Sequence, residues 1–99
     1  MSEKDLGSAW SLESLSGPVL YDVFFESGTM LGGTLVALER KARAAGDMDT
    51  ADRWRSEHLA LNRQRLAVGS RDRAAQIGMK NKWDARDSEL IADNPEIIQ

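Results

Sequence analysis

The chain has 99 residues, of which 41% are hydrophobic and six are aromatic, with no cysteine and a formal net charge of −3. That length holds one domain, which buries about 65% of the surface its unfolded chain exposes, and the lack of cysteine excludes disulfides and thiolate metal sites. The acidic, polar start SEKDLGS is unlike a signal peptide, and no apolar run reaches the roughly 20 residues that span a bilayer, so a cytoplasmic protein is expected.

Charge is distributed unevenly along the chain. Residues 1–38 carry five acids and one Lys, a net −4; residues 39–86 carry twelve Lys/Arg and seven acids, a net +5; residues 87–99 carry four acids and no base, a net −4. Two readings fit this layout: a basic face that seeks an anionic partner, or flanking acids that neutralise the middle within one molecule.

Residues 1–18 read as an N-terminal arm or short helix, with a helical pattern from Asp5 to Leu15 that uses Leu6, Trp10 and Leu15 as apolar contacts. Ser16-Gly17-Pro18 interrupts it, because proline suits the first turn of a helix but not its interior. From Val19 the spacing predicts a long helix whose seam is Leu20, Phe24, Leu31, Leu35, Leu38, Ala42 and Ala45, skipping Ser27, with Gly46 as its stop. Asp47, Asp49 or Thr50 can cap a second helix built on Ala51, Trp54, His58, Leu61 and Val68, with Leu59 and Leu66 widening the seam. Val68-Gly69-Ser70 repeats the stop, and a third helix follows from Arg71 to Ala92 on Ala75, Met79, Trp83 and Leu90. Asn94-Pro95 ends it and leaves residues 94–99 as an acidic tail. No strand alternation is present. The fold class is all-α: a small three-helix bundle over residues 19–93 with a central helical hairpin.

The first long helix has more apolar surface than one seam requires. Beside Leu20, Phe24 and Leu31 runs a second row, Tyr21, Phe25, Gly28 and Gly32. A bundle helix needs one stripe about 100° wide, so the second row is expected to meet either a partner or the N-terminal residues with Trp10. Gly28, Gly32 and Gly33 inside a helical pattern cost roughly 1 kcal/mol each relative to alanine, a cost met where backbones approach closely or a helix kinks. A phosphate-cradling loop would need a Lys-Ser/Thr pair and a preceding strand, and neither is here.

No catalytic, cofactor-binding or metal-binding residues stand out. His58, the one histidine, falls on the apolar seam between Trp54 and Leu61, where a half-buried histidine is expected. No carboxylate pair, Ser/His/Asp set or metal-ligand spacing accompanies it. The basic middle raises nucleic acid: Arg53, Arg55, Arg63, Arg65, Arg71, Arg73, Lys80, Lys82 and Arg86 are the candidates for tracking phosphates. Ala74-Ala-Gln-Ile-Gly78 resembles the end of the first helix of a DNA-reading helix-turn-helix, but Trp83 falls one position early and Asp84 occupies the expected apolar site. The plainer account is a solvated face with intrahelical pairs such as Glu39–Arg43.

Two resemblances complete the reading. Ala42, Gly46-Asp47, Ala51 and Ala60-Leu61 resemble the turn of a tetratricopeptide unit, present once, whereas a solenoid needs about three. The stretch ERKARAAGDMDTADRW, within residues 35–68, resembles the short helical antitoxins encoded beside zeta-type toxin kinases in high-GC bacteria. That resemblance implies a non-enzymatic three-helix protein that binds the kinase and obstructs its nucleotide site with an N-terminal helix. The residues here that would fill that role are Tyr21, Phe25 and Glu26, assisted by Trp10. A helical nucleic-acid-binding regulator using Arg63, Arg65, Arg71 and Arg73 is the alternative.

Overall fold

Ser16 opens the longest element: its hydroxyl accepts a hydrogen bond from the Val19 amide, and Pro18 sits in the first turn, where its fixed φ suits a helix. In this computed structural model, which describes residues 11–97, helix α1 therefore spans Gly17–Ala44, starting two residues before the predicted Val19. Helix α2 spans Met48–Ala67 and α3 spans Arg73–Asp93, with one-turn 3₁₀ segments at Leu12–Ser14 and Pro95–Ile97. Among the described residues there is no strand. The fold is a small all-α three-helix bundle.

The α1–α2 turn follows from local chemistry. Gly46 adopts φ +77°, its amide donates to the Arg43 carbonyl, and the Asp47 amide donates to the Ala42 carbonyl. That pair of bonds is a Schellman stop, which requires a left-handed residue just past the helix end. Of the three expected caps Asp47 is the one used, accepting from the Thr50 amide at 3.2 Å. Asp72 does the same for α3 through the Ala75 amide at 3.1 Å, so α3 begins at Arg73 rather than Arg71. Ala45, expected on the seam, is the exposed C-cap of α1, because the helix ends before its next turn could reach the core.

Contacts across the bundle give its direction. Gly32 faces His58 and Phe25 faces Arg65, so α2 runs antiparallel to α1. Ser27 meets Lys80 and Thr34 meets Asp87, each pair 53 residues apart, so α3 runs parallel to α1. Helices α2 and α3 both pack along α1 and reach each other mainly by side chains, through Arg86 to Glu57 and Trp83 to Gln64. Helix α1 is thus the spine. It supplies Phe24, Leu31, Leu35 and Leu38 to a core completed by Leu61, Trp83 and Leu90, with the Phe24 and Trp83 rings stacked at 5.2 Å.

Several expected positions lie elsewhere. Leu59 and Leu66 do not widen the α2 seam: they are 48% and 83% exposed, because they lie about 140–160° round the helix from Leu61. Gln76 is buried in α3 and donates to the Gly69 carbonyl at 2.9 Å, a polar core residue that apolar periodicity passes over. Of the helix expected over Asp5–Leu15, residues 5–10, including Leu6 and Trp10, lie outside the described residues; Leu12–Ser14 is a 3₁₀ turn and Leu15 is extended. Arg73 holds this segment against α3, its Nη2 donating to the Leu15 carbonyl at 2.7 Å and to that of Glu13 at 3.3 Å. At the other end, Pro95–Ile97 docks rather than trailing as a tail, with Glu96 paired to Lys41 and Ile97 against the core.

Candidate protein-binding site

The second apolar row of α1 divides into two halves with different roles. Its C-terminal half is where helices meet. A Cβ on Gly28 would lie 3.1 Å from Arg65 Cδ and 3.2 Å from Trp83 Cζ3, and one on Gly32 would lie 3.1 Å from His58 Nε2. Close approach, not a kink, explains these two glycines; a Cβ on Gly33 meets nothing within 4 Å. Helix α2 covers this half, which neither a partner nor the N-terminal arm needs to do.

Among the described residues no helix packs over the N-terminal half. Tyr21, Asp22, Phe25, Glu26 and Thr29 line a shallow cleft on the outside of α1. The tyrosine is half-buried, its ring 5.8 Å from Phe24 and 6.0 Å from Phe25, so part of it belongs to the core. Phe25 is 41% exposed and Glu26 is exposed. Of the four residues expected to form the interface, the structure brings together Tyr21, Phe25 and Glu26; Trp10 lies outside the described residues.

Arg65 is the residue of this site that sequence reasoning assigned elsewhere. Its guanidinium carbon sits 4.3 Å from the centroid of the Phe25 ring. Its Nη1 donates to the Phe25 carbonyl at 3.3 Å and to Thr29 Oγ1 at 3.0 Å, while Nη2 donates to Asn62 Oδ1 at 3.0 Å. A planar cation over an aromatic face is attracted by the ring quadrupole, and the surrounding acceptors fix its orientation. The guanidinium thus packs on the phenylalanine ring while that residue stays 41% exposed.

Of the nine cations expected to track phosphates, Arg65, Arg73, Lys80 and Arg86 are tied to neighbouring elements. Arg86 Nε and Nη2 donate to the two oxygens of Glu57 at 2.9 and 2.8 Å, and that bonding raises its pKa above the ordinary arginine value, against the opposing effect of burial. Helix α3 is continuous through Gly78, so no turn follows Ala74–Gly78 and a helix-turn-helix cannot form there.

A second cleft, of about 430 Å³, lies between α2 and α3 over Leu31 and Trp83, and the Arg86–Glu57 pair spans it. Among the described residues, no group of three or more His, Cys, Asp or Glu side chains is placed to hold a metal ion, and no buried side-chain nitrogen or oxygen lacks a hydrogen-bond partner. No helix among them is long and apolar enough to cross a membrane. Comparisons with protein-family models, with curated proteins and with solved structures find no match to this chain.

Proposed function

We propose that this chain is a non-enzymatic protein-binding module, and within that class an antitoxin that neutralises a zeta-type toxin kinase by seating the N-terminal half of α1 against it. The observation that carries the reading is Phe25, an aromatic side chain held in place by Arg65 yet 41% exposed. Binding energy at protein interfaces concentrates in a few aromatic and arginine anchors. An anchor ordered before the encounter loses less side-chain freedom on binding. Glu26 and Asp22 border the ring with negative charge. The choice of kinase as partner rests on the resemblance over residues 35–68 and implies a cytoplasmic bacterial protein.

The test is calorimetric titration of the chain into the kinase encoded beside it, with nucleotide turnover by the kinase followed in parallel. Because Tyr21 leans on the core, its truncation would mix folding with binding; Phe25→Ala combined with Glu26→Ala is the cleaner variant. Wild type should bind and suppress turnover, and the variant should keep its helical circular dichroism while losing both effects. Binding by the variant at wild-type strength would sink this interface. Binding to a DNA duplex that weakens steeply between roughly 50 and 200 mM salt would favour the nucleic-acid reading instead.

A further inference from the structure

Both described ends of the chain settle into one groove between α1 and α3. At its start, Leu12 and Leu15 line the groove with Val23, Met30 and Asp84, and Arg73 fixes the backbone there through the carbonyls of Glu13 and Leu15. At its far end, Ile97 lines it with Ala37 and Ile91. Met30 borders both stretches and joins them. It lies two residues from Gly28 and from Gly32, about 160° round the helix, and so faces away from the side where α2 packs. At 57% exposed it leaves the middle of the groove without cover among the described residues. The polar groups there already have partners: Lys80 donates to Ser27 and Asp84, and Thr34 donates to Asp87. What is left to cover is apolar.

We propose that residues 1–10 complete this cover, laying Trp10 and Leu6 along the groove between Leu12 and Ile97. Both side chains are apolar, and the segment enters where Leu12 already lies in the groove. An extended chain lets Trp10 reach about 7 Å from Leu12 and Leu6 about 20 Å. Met30 and Ala37, seven residues apart on α1, are separated by about 10 Å, so both fall within that reach. The strap ties the start of α1 to α3 from outside, as Ile97 does from the other end. It takes Trp10 to the α3 side of Glu26, which stands on the ridge between this groove and the Phe25 cleft, and leaves that cleft bare for a partner. The inference stands apart from the partner reading, because its test contains no second protein.

The experiment is limited oxidation of the full chain by hydrogen peroxide, with sulfoxide formation at each methionine followed by peptide mass spectrometry. Met48 on α2, 49% exposed, is the reference within the same molecule. Met30 should react several-fold more slowly than Met48, by the same ratio at every protein concentration. Trp10→Ala combined with Leu6→Ala should bring Met30 up to the Met48 rate, with circular dichroism and the Met48 rate itself unchanged. A wild type in which Met30 reacts as fast as Met48 overturns the proposal. So does protection that survives the double substitution. Protection that fades on dilution would put a second copy in the groove and overturn it as well.

Discussion

Arg65 and Phe25 stand 40 residues apart in sequence, and a single guanidinium covers the phenylalanine ring at 4.3 Å while donating to that residue's own carbonyl. The contact fastens the end of α2 to the start of α1, opposite the Gly46 turn that joins their other ends.

Replacing Arg65 by lysine keeps the charge but removes the flat face and the fork of donors that reach Phe25, Thr29 and Asn62. The expected loss of stability is about 1 kcal/mol in urea unfolding. In a double-mutant cycle with Phe25→Leu, a coupling of about 0.5–1 kcal/mol is expected. A coupling of zero would mean that the stacking contributes nothing.

How much of this was legible in the sequence depends on the range of each interaction. Signals carried within a few residues were readable: the Gly46 stop, a cap among Asp47, Asp49 and Thr50, and the three- and four-residue spacing of Leu31, Leu35 and Leu38. The glycines at 28 and 32 announced a close approach or a kink, but neither which of the two, nor that Arg65 and Trp83 would fill the space at the first of them. Charge count alone gave a basic middle segment; pairing decided that Arg86 would bridge to Glu57 and Arg73 would hold Leu15. Gln76 carried no signal at all, since its partner is a backbone carbonyl that a sequence pattern does not record.

The glycines of α1 separate by neighbourhood. Gly33→Ala adds a methyl group in open space and restricts the unfolded chain, so it should stabilise by about 0.5–1 kcal/mol. Gly28→Ala places the same group 3.2 Å from the ring of Trp83, which is 2% exposed and stacked on Phe24 and so has little room to move. Overpacking of that kind costs about 1–3 kcal/mol, enough to outweigh the gain in helix propensity. Thermal unfolding of the two variants should move in opposite directions.

The Arg86–Glu57 pair is two-pronged, with side chains 33% and 31% exposed, and it is the main polar tie between α2 and α3. Glu57→Gln should cost about 1 kcal/mol, an amount reduced by solvent screening at this exposure. Arg86→Lys should give nearly the same loss, because an ammonium cannot bond both carboxylate oxygens in the fixed geometry of the fork. Urea midpoints would check both, and a lysine variant as stable as wild type would show that charge alone suffices.

Acid should act on the start of α2. Hydrogen bonding from Thr50 holds the Asp47 carboxyl below its ordinary value of 3.8. A carboxyl whose pKa is lower in the folded than in the unfolded state contributes stability that is complete above the unfolded value. That contribution is lost as pH falls through the folded one. Asp47→Asn keeps a side-chain oxygen to accept the Thr50 amide but cannot titrate. The melting temperature of wild type should therefore exceed that of Asp47→Asn at about pH 6 and converge on it toward about pH 2. A difference that stays constant across that range would show that the cap works by hydrogen-bond geometry alone, without its charge.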